Sequence, residues 1–344
     1  ADGTVIVGYG TNPSGETEPY RIDLNPNFDD IAPVIHGLPF DIITTTDPGL
    51  PTATVTWVEP TATDNVGVTS FTSSQSPGDV FPLGVTTVTY TADDAAGNST
   101  LASFTVTVMD GEKPVISGLP ADIVISTDPG LSSAVVNWVA PVASDNVGVT
   151  SFNSTPDPGD TFLLGLTAVT YTASDTAGNV GMASFTVTVG DTEKPVISGV
   201  PSDIATTTDP GAATTTASWT PPTATDNVGV VSFTSSHAPG DTFSAGTTTV
   251  TYTATDAAGN VRAASFSVTV NDDEKPVIAG IPEDIVVQAD PGNTTAVVTW
   301  EDPTATDNVG VTSFVANFPS GSEFPIGETV VFYTAEDAAG NRSL

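Results

Sequence analysis

Ala168-Val169-Thr170-Tyr171-Thr172-Ala173, the turn Asp175-Thr176-Ala177-Gly178-Asn179 and the run Ala183-Ser184-Phe185-Thr186-Val187-Thr188-Val189 decide how this chain folds. Apolar residues and threonine alternate on both sides of the turn, the pattern of strands with one face buried. Val169, Tyr171 and Ala173 are expected to face a core from one strand, and Phe185, Val187 and Val189 from the other. Thr170, Thr172, Thr186 and Thr188 then face water. Upstream, Ser133 to Val139 and Gly148 to Asn153 alternate in the same way. Asp-Pro-Gly, Asp-Asn-Val-Gly and Asp-Pro-Gly-Asp lie between the runs and supply turn chemistry. No stretch keeps a helical period. The expectation is an all-β, two-sheet antiparallel sandwich of roughly seven strands, with Trp138, Phe152, Phe162, Tyr171 and Phe185 as core packing.

The unit repeats. Asp-Asn-Val-Gly begins at Asp64, Asp145, Asp226 and Asp307, a constant spacing of 81 residues shared by Trp57, Trp138, Trp219 and Trp300. Tyr90, Tyr171, Tyr252 and Tyr333 keep the same register. Self-similarity at a fixed period marks an array of like units. The boundaries it gives are an N-terminal segment at 1–29, units at 30–110, 111–191 and 192–272, and a shorter unit at 273–344. An array of four like units without one singular site reads as a spacer or polymer rather than an enzyme.

Forty-one Asp and Glu face six Lys and Arg, a net charge of -35, and there is no cysteine. That charge excludes nucleic acid and anionic membranes as partners and creates a demand for cations. Small units bury a low fraction of their surface and usually need a staple. Without disulfides, metal ions and neighbouring units remain. No apolar run is long enough to span a membrane. Abundant Thr, Ser, Gly and Pro with little Lys reads as a secreted or cell-surface protein, and a chain opening at Ala1 as one whose signal peptide has been removed. His36 and His237 occupy non-equivalent places and have no repeated partner, which argues against a Ser-His-Asp or zinc arrangement.

In the third unit the runs Lys194-Pro-Val-Ile, Pro201-Ser-Asp-Ile, Thr207-Thr-Asp-Pro-Gly, Ala217-Ser-Trp-Thr-Pro-Pro-Thr-Ala-Thr-Asp-Asn-Val-Gly-Val and Thr249-Val-Thr-Tyr-Thr-Ala-Thr-Asp-Ala-Ala-Gly-Asn resemble the hyalin repeat, or HYR, domain. The resemblance covers residues 30 to 344. It implies four tandem immunoglobulin-like sandwiches preceded by an extended N-terminal strand, and a role in extracellular adhesion or matrix. It also implies a cysteine pair near the first and last strands, where this chain holds Ser117-Gly118 and residues such as Ala102.

At one end of such a sandwich the loops should gather carboxylates around each joint. The expected sets are Asp29, Asp30, Asp64 and Asp94; Asp110, Glu112, Asp145 and Asp175; Asp191, Glu193, Asp226 and Asp256; and Asp272, Asp273, Glu274, Asp307 and Asp337. Several carboxylates and carbonyls suit Ca2+, which takes six to eight oxygen ligands. The alternative is that these residues only cap their own turns.

The first three units close with Ala102 to Val108, Ala183 to Val189 and Ala264 to Val270, whereas Leu344 aligns with Leu101. The segment Ala1 to Val7 matches Ala102 to Val108 at Ala, Thr, Val and Val. The expectation is a homopolymer with self as partner: Thr4, Val5, Ile6 and Val7 of one subunit act as donor strand for a groove at Val331, Phe332, Tyr333 and Ala335 of the next. Ile6 and Phe332 are expected to form an apolar pair on the outer face, where the first unit has Thr107 and Thr89. The alternative is a stalk or adhesin segment of a larger surface protein.

Overall fold

The computed structural model describes residues 5–23 and 29–344. They divide into two compact units, one built from residues up to 123 with 136–160 and 166–187, the other from 124–135, 161–165 and 188–344. Among the described residues there are strands and no helix.

The first unit contains the first repeat whole. One sheet orders its strands Ile42–Thr45, Ser99–Met109, Gly84–Asp94 and Val68–Ser73. Facing it are two short pairs, Val34–His36 with Thr61–Thr63 and Thr52–Thr54 with Val80–Pro82. The last strand, Ser99–Met109, is therefore internal: Val106 lies opposite Thr86 in an antiparallel pairing and opposite Ile42 in a parallel one. Its neighbour Gly84–Asp94 buries Val88, Tyr90 and Ala92 and turns Thr87, Thr89 and Thr91 outward. Between the layers lie Phe81, Val88, Tyr90, Phe104, Val106 and Val108, with Trp57 and Phe71 packed against them. Trp57 meets Phe104 edge-on at 5.2 Å between ring centres and donates its indole N–H to the Tyr90 hydroxyl at 2.8 Å. Phe104, Val106 and Val108 together remove three large side chains from water, each worth about 1.5 to 3 kcal/mol.

In the second repeat the expected core residues Val169, Tyr171, Ala173, Phe185, Val187 and Val189 are buried. One strand is shorter than its sequence pattern: Ser133 to Val139 is a strand only over Ser133–Val135. The backbone of Val136 is taken by Asp160 and Gly159, and Pro141 soon follows.

The third repeat, in the second compact unit, repeats the sheet as Ile204–Thr207, Val261–Asn271, Gly246–Asp256 and Val230–Ser235. The fourth does not. The strand matching Gly246–Asp256 shrinks to Tyr333–Asp337, and residues 281–290, matching the segment around Ile204–Thr207, hold no strand. The central strand runs only over Arg342–Ser343, opposite Glu336 and Ala335, so along the rest of their length both neighbours lack its backbone groups. Ile285, Val287 and Val330 are exposed, and Val286 is 93% exposed. A cavity of about 820 Å³ opens where the first repeat holds Phe104, Val106 and Val108, lined among others by Ile285, Val287, Val331 and Tyr333. Of the expected groove residues, Tyr333 and Ala335 are buried and Phe332 points outward.

At the N-terminus, Val5–Thr11 and Thr17–Asp23 form an antiparallel hairpin with Val5 opposite Asp23 and Val7 opposite Arg21. Asn12 makes the turn: its Oδ1 accepts the N–H groups of Ser14 and Glu16 at 3.1 and 3.0 Å. This corrects the expectation of a free donor strand, because within one chain Val5 to Val7 already have partners. Val7 is 64% exposed and Tyr9 74%. Thr4 lies outside the described residues, as do Leu24 and Phe28. The register also corrects the Ile6–Phe332 pair. Thr107 lies opposite Val85 and Thr89 opposite Ser103, so their counterparts are not cross-strand neighbours.

Candidate metal centres at the repeat junctions

Each repeat brings three aspartates together, from three different pieces of chain, so that one carboxylate oxygen from each lies within 4.8 Å of the other two. The sets are Asp29, Asp64 and Asp94; Asp110, Asp145 and Asp175; Asp191, Asp226 and Asp256; and Asp272, Asp307 and Asp337.

The second set shows how local sequence builds the site. Asp145 opens the Asp-Asn-Val-Gly turn, and its Oδ2 accepts the N–H groups of Val147 and Gly148 at 2.9 and 3.0 Å. Gly148 sits at φ 138°, a conformation other residues rarely adopt, which fixes glycine at the fourth place of the turn. One carboxylate oxygen is thereby consumed and the other, Oδ1, is left buried without a hydrogen bond. Asp175 opens the turn before the last strand. Its two oxygens are both engaged by Asn179, through the backbone N–H at 2.9 Å and the side-chain amide at 2.8 Å. Asp110, in the linker, is 9% exposed; its Oδ1 accepts the N–H of Glu112 at 3.1 Å and its Oδ2 has no partner.

The same division of labour recurs. Orphaned buried oxygens belong to Asp29 and Asp64, to Asp110 and Asp145, to Asp191 and Asp226, and to Asp272 and Asp307. The third aspartate of each set is held by an asparagine four residues on: Asn98, Asn179, Asn260 or Asn341. Burial raises the pKa of Asp94, Asp175, Asp256 and Asp337, but the asparagine amide and the turn N–H groups outweigh it, and each ends below the ordinary carboxylate range. The N–H groups of Gly67 and Val66 likewise lower Asp64. These groups are therefore ionised at neutral pH.

Not every expected ligand reaches a cluster. Glu112, Glu193 and Glu274 turn instead to the Asp-Pro-Gly turn of the preceding repeat, where they accept the N–H of Gly49 at 2.8 Å, of Gly130 at 3.1 Å and of Gly211 at 2.8 Å. Their place in the metal set is corrected: they latch one repeat to the next. Asp30 and Asp273 are exposed and also lie outside the clusters.

The asparagine that follows the turn aspartate, Asn146, Asn227 or Asn308, is not in the expected sets and is tied to the preceding repeat. Asn146 donates its amide to Thr46 Oγ1 at 3.2 Å and to the carbonyl of Leu50 at 2.9 Å, both in the preceding repeat. Asn227 does the same to Thr127 and Leu131, and Asn308 to Thr208 and Ala212. In all three the Oδ1 is buried and unpartnered. Each of these joints thus carries three orphaned oxygens, two on its carboxylates and one on its asparagine. All the donors are oxygen, with no His or Cys among them, which is the ligand chemistry of a hard cation and fits calcium.

HYR domains match residues 28–108, 109–189, 190–270 and 271–343. Hyalin of Lytechinus variegatus is 37% identical over 85% of this chain and 57% of its own length. Hyalin of Strongylocentrotus purpuratus is 35% identical over 98% of this chain and 29% of its own length. The chain thus spans less than two thirds of either. A sushi, von Willebrand factor type A, EGF and pentraxin domain-containing protein of Rattus norvegicus is 38% identical over 41% of this chain and 4% of its own length. Among solved structures, a protocadherin gammaB4 extracellular domain is similar over 99% of this chain and 70% of its own length at 14% identity and TM-score 0.35. Mouse cadherin-23 EC22-24 is similar over 71% of this chain and its whole length at 15% identity and TM-score 0.27.

Proposed function

The chain belongs to the HYR domain family, and from that premise we propose that it is an extracellular, adhesion-type array of sandwiches whose repeat junctions each take up a calcium ion. The observation that carries the cation reading is the pair of buried, unpartnered carboxylate oxygens in every one of the four clusters. A turn that only caps itself would satisfy its carboxylate; here one oxygen does so and the other is held toward two further carboxylates. Like charges this close repel. A divalent ion offsets that repulsion and gives the orphaned oxygens a partner.

Asp110, Asp145 and Asp175 would hold the ion at the second junction, with Asn146 Oδ1 beside them. The bound ion supplies charge neutralisation. The chain's own residues tie the joint: the amide of Asn146 and the carboxylate of Glu112 both bond the preceding repeat, so ordering the cluster orders the contact between neighbours. The calcium-loaded protein is therefore expected to melt at a higher temperature than the chelated one, since a ligand of the native state stabilises it by mass action. Identical melting with calcium and with chelator would remove the cation sites and leave the carboxylates as turn formers. No helix among the described residues is long and apolar enough to cross a membrane, and the extracellular placement rests on the hyalin relatives.

A further inference from the structure

We infer that the open groove of the fourth repeat is a strand-binding site, and that its occupant is the segment Thr4–Val7 of a second copy of this chain. The first and third repeats show what the groove is shaped to hold. There a single strand runs between two others, burying Phe104, Val106 and Val108 in one case and Phe266, Val268 and Val270 in the other. The fourth repeat keeps the wall residues and leaves about 820 Å³ between them. What it takes is an extended segment with apolar residues at alternate positions.

A second feature points to backbone recognition at one position. Asp41 accepts the N–H of Thr105 at 2.7 Å, Asp122 that of Thr186 at 2.7 Å and Asp203 that of Ser267 at 2.7 Å. In each repeat this aspartate precedes the isoleucine that opens the neighbouring strand, and it grips the central strand just ahead of its second buried residue. Asp284 stands at the same place in the fourth repeat, at the wall of the cavity, before Ile285. The N–H that fits it belongs to a residue followed by valine, any residue and valine.

Thr4-Val5-Ile6-Val7 supplies that order and reproduces Thr105-Val106-Thr107-Val108 at Thr, Val and Val. In the register of the first repeat, Val106 lies between Thr86 and Ile42, and Thr107 opposite Val85. By the repeat spacing, Val5 then enters between Thr329 and Ile285, Ile6 lies opposite Glu328, and the Thr4 N–H meets Asp284. Gly3 adds no side chain where Phe104 stands, so the joint rests on Val5, Val7 and the backbone. Insertion uses both edges of the strand. The pairing of Val5 to Val7 with Arg21 to Asp23 therefore opens, while Gly8–Thr11 can stay paired with Thr17–Tyr20. Because donor and groove are two different surfaces of the chain, the contact is head-to-tail and propagates without closing.

The chain has no cysteine, which makes the register directly testable. In the double variant Ile6→Cys with Glu328→Cys, mild oxidation is expected to give a ladder of covalent dimers, trimers and higher species on a non-reducing gel, with neither single variant going beyond dimers. A product that remains one chain in size would overturn the proposal. Val5 and Val7 belong to the N-terminal hairpin, ahead of the first repeat, so Val5→Asp with Val7→Asp should leave the melting of the repeats unchanged. In light scattering the unaltered chain is expected to have a mass several times that of one chain, and this variant the mass of one. Assemblies that survive the two aspartates, or an unaltered chain that stays single at every concentration, would equally overturn it; the latter leaves a stalk whose groove is closed by some other strand.

Discussion

The third and fourth repeats share their register, their Trp–Tyr pair and their carboxylate cluster, yet differ in three stretches of sheet. In the third, Ile204–Thr207 and Gly246–Asp256 flank Val261–Asn271. In the fourth the central strand runs only over Arg342–Ser343, opposite Glu336 and Ala335, the first flank is not a strand at all, and the second begins only at Tyr333. The segment around Ile285, Ile-Val-Val, holds more β-branched apolar residues than Ile204–Thr207, so local propensity is not what it lacks. A strand exists where its backbone donors and acceptors find partners, and the central strand supplies them to both sides. The part of the fourth repeat that does not need it, the Asp272, Asp307 and Asp337 junction, is built as in the others.

The largest break in this comparison comes from turning the third repeat into a copy of the fourth. Val268→Asp places an unpaired charge in the core and is expected to remove about 3 to 5 kcal/mol; hydrogen exchange should then show residues 204–207 and 246–250 losing protection together. Phe266→Ala is expected to remove about 3 to 5 kcal/mol as well by emptying the place beside Trp219, but with exchange protection retained along both flanks. Calorimetric unfolding with hydrogen exchange separates the two. A smaller effect is expected at Asp203→Ala, which deletes one acceptor for the Ser267 N–H and should lower the melting temperature by less than either core change. Asp284→Ala should not alter the melting of a single chain at all, since its partner strand is absent there.

The comparison also has a pH arm. Asp94, Asp175, Asp256 and Asp337 all titrate below the ordinary carboxylate range, so the fold favours their ionised form. The stability they give is fully present above about pH 4, the unfolded value, and is lost as pH falls through the lower folded value. All four junctions, the fourth included, should therefore weaken together below about pH 4, while melting stays flat between about pH 5 and 8. A fourth repeat that lost its junction at a distinctly higher pH than the third would show that the missing strand reaches the cluster after all.

Much of this was legible in the sequence, for identifiable reasons. The 81-residue register located every repeat, and the alternation around Tyr171 and Phe185 assigned both faces of two strands. The three aspartates of each cluster were readable because each sits at a turn marked by its own neighbours. What stayed hidden depends on residues far apart in the chain. Nothing local in Asp41 tells that it will hold the N–H of Thr105, and Glu112 looks like any acidic linker residue until Gly49 is seen beside it. Asn12-Pro13-Ser14-Gly15 did carry a local signal, a turn in the middle of an extra segment, and reading it would have returned Val5 to a hairpin rather than leaving it free. The shortening of the strand before Trp138 followed from Pro141 and from bonds to Asp160, of which only the proline was visible.

Calorimetric titration of calcium into the chelated chain tests the central claim most directly. Binding at four junctions is predicted, reduced by one site in Asp145→Asn and by one further site in Asp145→Asn with Asp226→Asn, each variant keeping its turn because asparagine still accepts the N–H groups that follow it. No heat of binding, or a stoichiometry that these substitutions leave unchanged, would contradict it.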